Sequence, residues 1–508
     1  MASGELIELT AASGDIDCTD QLEMFEGFQK AFVVNGANLK VIDFINKKFT
    51  LTGTIDADKI PVKGDLLYQD DAADPAEILV DFVATNTINA IIYGFVSGGV
   101  AEAGLKLANA DGDDIAAGTV SAIAAYPHWY DWTPQVDTAT VTFGAMPEKA
   151  YLGCLYRGRC VLAGDPSNPY TWYMSRQANP WDWAYIANDS QSPVAGSSAD
   201  AGQFGDILTA LIPYRDDYLI FGCAGSMWVL RGDPAAGGMI NCLSTSTGIF
   251  GARSWCWGDG EILYFWGNRG LCSVNTGPSA PISISDNILP NANKDWGLDW
   301  NLHSINMVFD KERGGIIINK ILLSDGTNEC FWFDLKTQGF FPEEYPSAHA
   351  PYSSAFYDAA DPEYRGVIFG CTDGYLRTFD SAQENDDGVA IDSYAVIGPI
   401  RIQKYEDSRG RLQSLAIVTG GGSSGGTQED TDSLDYEIYV GDSAEQVMER
   451  IEASSFLYSG SAAVPGRTKK IRARSRCSYL AIKLKNDTLG EKWIFEKITG
   501  DITSAGEN

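Results

Sequence analysis

A hairpin that recurs along the chain constrains this sequence more than any other feature. Its clearest copy is residues 205–233, GDILTALIPYRDDYLIFGCAGSMWVLRGD. Residues 207–211 read as a strand and Pro213 to Asp217 as a turn. Residues 218–221 then pair with 227–230 across Gly222-Cys-Ala-Gly225, since short apolar runs bounded by Gly, Pro and Asp are strand signals. The same form returns at 159–162 with 171–174, at 261–265 with 270–274, at 315–319 with 330–334 and at 367–369 with 375–379. Upstream, 31–34 and 39–44 flank Asn35-Gly36. Taken at Tyr218, Ile262, Ile316 and Val367, the spacing is 44, 54 and 51 residues.

A period of about 40–50 residues with four short strands in each is how a β-propeller reads in sequence. An all-β sandwich also places strands at regular intervals and stays as the alternative. Helical periodicity is scarce, with one short candidate at 444–451. The expected fold is therefore all-β: an N-terminal arm at 1–28, then a β-propeller of about six blades over 29–50 and 126–388. Residues 51–125 interrupt the repeat with short strands parted by Gly, Asp and Asn, and are expected to form a small inserted β-barrel. Strands after the charged turn QENDDG (383–388) point to a β-sandwich-like domain at 389–508, with Gly420 to Ser433 as a flexible surface loop.

Composition narrows the function. The 508 residues carry 37 Lys and Arg against 68 Asp and Glu, a formal charge of −31. That excess repels phosphates, which argues against a sequence-reading nucleic-acid binder, while an acidic wall suits a duct through which DNA slides without sticking. Solubility of an aromatic-rich protein is the other reason for such acidity. The first residues, MASGELIELTAASGD, have no basic and no apolar stretch, so a secretory signal is not expected. No apolar run is long enough for a membrane span. The ten cysteines include no C-x-x-C pair. Those at 223, 256, 272, 330 and 371 sit in or beside apolar strands, as small buried hydrophobes of a chain folded in a reducing cytoplasm.

Chemistry-bearing motifs are few. His128, His303 and His349 lie in separate segments without metal-ligand spacing, and there is no G-x-S-x-G or Walker sequence, so no catalytic residue, metal or cofactor is assigned. Asp111-Gly-Asp-Asp114 and Glu384-Asn-Asp-Asp387 lack Ca²⁺-loop spacing and read as solvated turns. Tyr126-Pro-His-Trp-Tyr-Asp-Trp132, at the exit of the insertion, reads first as packing between two segments and second as a stacking surface for a sugar or base. One basic cluster stands out on the acidic chain: Arg467, Lys469, Lys470, Arg472, Arg474 and Arg476. Arg472, Arg474 and Arg476 alternate, so on a strand they share a face, either solvated or docking an acidic surface of a neighbouring subunit or adaptor.

Three segments carry a family resemblance. Residues 208–221 running into Met227-Trp-Val-Leu-Arg-Gly-Asp233, Gly251-Ala-Arg-Ser254 with Tyr264-Phe-Trp-Gly-Asn-Arg-Gly-Leu271, and Tyr173-Met-Ser175 with Asn179-Pro-Trp-Asp-Trp183 resemble motifs of tail nozzle (tail tubular) and packaged-DNA-stabilising or stopper proteins of short-tailed bacteriophages. The stretch from Arg472 to Leu484 is similar to their terminal sandwich, and Lys63-Gly-Asp65 to small barrel modules of phage tails. The resemblance implies a non-enzymatic virion tail protein, assembled in the host cytoplasm as a ring of usually six copies. Such a ring would meet portal, adaptor and tail-fibre or distal tail proteins, and would retain and later conduct genomic DNA. The enzymatic rival is a propeller glycosidase or a glycan-binding propeller, since two carboxylates about 5–10 Å apart suffice for hydrolysis.

Overall fold

The recurring hairpins are the middle strands of successive antiparallel sheets. The computed structural model describes residues 16–17, 19–69, 76–92, 103–186, 189–275, 277, 279–380, 382–402, 408–422, 429–468 and 470–507. They form an all-β protein of two compact units, residues 1–344 with 351–372 and residues 345–350 with 373–508.

In the first unit, five four-stranded sheets follow one another as meanders. The first holds Glu23–Gly27, Lys30–Val34, Leu39–Asp43 and His128–Asp131. The second holds Leu152–Tyr156, Arg159–Ala163, Trp172–Met174 and Val194–Ala195. Leu208–Tyr214, Tyr218–Cys223, Met227–Arg231 and Met239–Ser244 make the third. Trp255–Trp257, Leu263–Gly267, Gly270–Val274 and Ile282–Ser283 make the fourth. The fifth has His303–Asp310, Gly315–Leu322, Asn328–Asp334 and Gly339–Glu343. Pro351–Tyr357 pairing with Gly366–Cys371 begins a sixth. The arm expected at 1–28 thus already contributes a sheet strand, in which Phe25 stacks on Phe32 at 5.2 Å.

Tyr218–Cys223 and Gly270–Val274 are buried at every residue, because each strand has partners on both sides and packed neighbours on both faces. Apolar clusters join consecutive sheets. Leu152 and Val161 pack with Leu211 and Phe221, Ala210 and Ile220 with Leu263 and Phe265, Trp266 with Ile305 and Ile316, and Val308 with Val367 and Phe369. Backbone closeness matters as much between the third and fourth sheets. A Cβ on Gly248 would lie 2.2 Å from Ala224 O, and the Ile249 amide donates to Cys223 O at 2.9 Å. The segment from Gly248 to Ser254 is a strap between sheets, which is why its sequence is distinctive.

The insertion is an open five-stranded sheet in the order Leu66–Tyr68, Glu77–Ala84, Thr87–Ile92, Lys47–Leu51, Val120–Ala124. Its outermost strands do not pair, so the barrel expected over 51–125 is not closed among the described residues, and its sheet begins earlier, at Lys47. It has its own core around Phe49, Ile78, Val80 and Ile88. A buried ionic joint ties it to the first sheet. Lys30 Nζ lies 2.9 Å from Asp81 Oδ2 and 3.8 Å from Asp43 Oδ2, and Lys63 Nζ lies 2.6 Å from Asp81 Oδ1. Asn46 Nδ2 donates to both carboxylates, at 2.7 and 2.8 Å. Phe82 stacks on Trp181 at 4.3 Å and on Tyr130 at 5.5 Å.

The second unit has two antiparallel sheets. One is ordered Ser393–Arg401, Tyr479–Asn486, Asp435–Gly441, Tyr458–Ser461, and the other Ser475–Cys477, Ser408–Thr419, Phe495–Glu507. They share one core, in which Leu412, Leu415 and Ile417 of the second sheet meet Ile438, Leu480 and Ile482 of the first. The expected short helix runs Ala444–Glu452, and the Ser443 hydroxyl caps it by accepting from Gln446 N at 3.1 Å. Residues 423–428 of the loop from Gly420 to Ser433 lie outside the described residues.

Candidate functional site

The basic cluster sits along one edge of the second unit. Residues 467–477 run antiparallel to Ser408–Thr419, with Arg467 bridged to Val418, Ile471 to Leu415 and Ser475 paired with Leu412. Ala473, Ser475 and Cys477 enter the core, so the alternate residues Arg472, Arg474 and Arg476 are exposed, as are Arg467 and Lys470. Lys469 lies outside the described residues. The sequence reading missed Arg411, which is exposed and directly opposite Arg476. Only the strand register reveals it, because the two arginines are far apart in the chain. Lys470 pairs with Asp501, which also accepts from Ser414 Oγ at 2.8 Å, and these two partners hold the Asp501 carboxyl below its ordinary value. Arg476 donates to Ala505 O. Among the described residues Arg411, Arg467, Arg472 and Arg474 have no carboxylate partner. Residues 451–508 carry 10 Lys and Arg against 6 Asp and Glu, the reverse of the chain as a whole.

A second arrangement gathers the first strands of the sheets. Glu23–Gly27 lies beside Leu152–Tyr156, and Leu152–Tyr156 beside Leu208–Tyr214. Likewise Trp255–Trp257 lies beside His303–Asp310, and His303–Asp310 beside Pro351–Tyr357. Gln21 spans from the start of the first sheet to the fifth and sixth, with Nε2 donating to Tyr352 O at 3.1 Å and Oε1 accepting from Ser304 Oγ at 2.8 Å. Arg253, carried by the strap, places Nε 2.8 Å from Glu23 Oε2 and donates through Nη2 to Leu22 O at 3.3 Å. Burial pushes the Glu23 carboxyl up to about 7 against the pull of Arg253.

An acid with a raised folded value binds its proton more tightly when folded. Its penalty is therefore absent below the ordinary 4.5, grows between there and about 7, and is complete above. At full size it is about 3 kcal/mol. Glu23→Gln should flatten the fall in unfolding free energy across this window. Denaturant titrations at several pH values check it, and parallel profiles for the two proteins would refute it.

A third feature is a cleft of about 460 Å³ between the inserted sheet and the edge strand His128–Asp131 of the first sheet, lined by Lys40, Lys48, Phe82, Asn89, Trp129 and Asp131 among others. His128 Nε2 lies 3.0 Å from Asn89 Oδ1 and so fixes one wall against the other. Elsewhere the chemistry is quiet. Among the described residues no group of three His, Cys, Asp or Glu is placed to hold a metal ion. Asp114 pairs with Lys106 at 2.6 Å, and Asp387 with Arg377 at 2.7 Å. Nine described cysteines are free, eight of them buried, and burial pushes the Cys223 and Cys272 thiols up to about 12, which removes them as nucleophiles near neutral pH.

No known protein family matches the chain, and no curated protein matches it in sequence. Similar solved structures include the extracellular domain of a protein assigned to a hybrid two-component system of Bacteroides thetaiotaomicron (11% identity, TM-score 0.31, 96% of this chain and 56% of that one). Others are a glycoside hydrolase (13%, 0.23, 68% and 96%) and an auxiliary nutrient binding protein of Bacteroides ovatus (10%, 0.27, 72% and 87%). The chain spans little more than half of the first of these. At such TM-scores the likeness carries no weight for fold or function. No described helix is long and apolar enough to cross a membrane.

Proposed function

We propose that this chain is a structural subunit of a bacteriophage virion, one copy of the ring that forms the tail nozzle or the head-to-tail stopper of a short-tailed phage. The observation that carries the reading is the convergence of first strands, tied by Gln21 to Ser304 and Tyr352 and by Arg253 to Glu23. It supports taking the six sheets as blades of a propeller around one axis, with the two sheets of the second unit as the terminal sandwich. The motifs of the family resemblance fall on the parts that hold such a wheel together: the strap, the third sheet and the tryptophans packed on the first.

The work is mechanical. An acidic surface lets DNA pass without the counterion-releasing contacts that would slow it, while the basic edge supplies complementarity to an acidic neighbour of the ring, the portal or the adaptor. Two arginines directly opposed across a strand pair cost stability in an isolated chain, so keeping Arg411 opposite Arg476 makes sense against an anionic partner. A glycosidase is less well supported, because among the described residues Asp131 is the one carboxylate lining the cleft, where a pair is needed.

The test is assembly. Purified protein, alone or with portal and adaptor, should form rings many times the mass of the 55.0 kDa chain. Reversing Arg472, Arg474 and Arg476 to Glu should leave the exposed edge folded and shift native mass spectra to the single chain. Monomers throughout, or rings untouched by the reversal, would count against the reading.

A further inference from the structure

We propose that the cleft beside Trp129 binds a neutral hexopyranose of a surface polysaccharide. Trp129 is half-buried on the edge strand, its ring meets no other ring and its Nε1 has no partner among the described residues. Its aromatic neighbours in the chain behave differently. Tyr130 turns inward to stack on Phe82, and Trp132 packs under Phe32 at 4.5 Å. Packing therefore explains Tyr130 and Trp132 and leaves Trp129 beside the cleft as an open apolar plate, the surface on which a sugar ring stacks.

Polar groups converge on the same space. Asn89 is 1% exposed, lines the cleft and spends Oδ1 on His128, so its amide nitrogen has no partner among the described residues. Lys48 lines it with no ion pair among the described residues, and Lys40 is held against Asp131 at 2.6 Å. An amide donor, two ammonium groups and a carboxylate acceptor beside an indole are the complement of vicinal hydroxyls. Asp131 and the charge of −31 disfavour an acidic sugar. The walls come from two sheets fastened by Lys30, Asp43 and Asp81, so the cleft is formed before any ligand arrives and little ordering opposes binding.

The inference does not depend on ring formation. It is tested with the full chain on a glycan array carrying neutral gluco-, galacto- and manno-oligosaccharides beside uronic acid ones. Wild type should retain neutral glycans. Trp129→Ala should weaken retention by about tenfold or more, and Trp129→Phe should restore most of it. Should Trp129→Ala not fold, Lys48→Ala decides: it should weaken binding several-fold without a change in melting temperature. No glycan retained by wild type, retention of acidic glycans alone, or retention unchanged in a folded variant overturns the proposal.

Discussion

Arg159→Ala should destabilise the first unit by about 5 kcal/mol, the largest effect of any single side-chain truncation expected in this chain. The guanidinium is fully buried. Its Nε donates to Asp233 Oδ2 at 2.9 Å, Nη1 to the carbonyls of Ser175, Gln191 and Ser192, and Nη2 to Ser190 O at 3.0 Å. Asp233 lies between the third and fourth strands of the third sheet and caps the turn at Pro234–Ala236 by accepting from Ala235 N. One side chain therefore satisfies a carboxylate and four carbonyls drawn from two sheets and the 189–192 turn. Truncation strands them where water reaches poorly. Arg159→Lys keeps the charge but not the planar fork, and should recover under half of the loss. Urea unfolding followed by tryptophan fluorescence measures both, and an unchanged midpoint for Arg159→Ala would show that these bonds contribute nothing net.

Asp81→Ala should cost about 3–5 kcal/mol, for a different reason. Burial works against the Asp81 carboxylate, yet Lys30 and Lys63 together hold it below its ordinary value. Lys63 is partly exposed and can turn to water when its partner goes, whereas the Lys30 side chain is 2% exposed and cannot. Lys30→Met in the Asp81→Ala background should deepen the loss, since it leaves the buried Asp43 carboxylate without the cation beside it. Because the folded value is lowered, this stabilisation is complete above the ordinary 3.8 and is lost as pH falls through the folded value. The wild type should accordingly lose more stability on acidification than Asp81→Ala. Equal acid sensitivity in the two proteins would sink the argument.

What could be read in one dimension was whatever burial writes into consecutive residues. The middle strands announce themselves because Arg159–Ala163, Tyr218–Cys223 and Gly270–Val274 are buried throughout. Outer strands such as Met239–Ser244 have no buried residue at all and leave no apolar pattern. The turn at Phe28-Gln29 was equally hidden, because both residues adopt positive φ, 53° and 57°, where Asn-Gly would be the usual signal. Alternation made Arg472, Arg474 and Arg476 visible, whereas Arg411 needed the register. The cleft was not legible either. Its aromatic plate stands in the sequence as part of a cluster, but Asn89 and Lys48 join it only through the packing of the inserted sheet on an edge strand.

The way that sheet is attached has a consequence for how such a chain changes. Asp43 and His128 are register partners on adjacent strands, so the polypeptide leaves and re-enters the frame at neighbouring points. A segment of almost any length whose own ends meet can occupy that gap, because closing a longer loop between fixed anchors costs little additional entropy. A replacement needs only an acid for Lys30 and an apolar face for Trp181. Frame and cargo can therefore diverge at separate rates, one held by its seams and the other free to be exchanged whole.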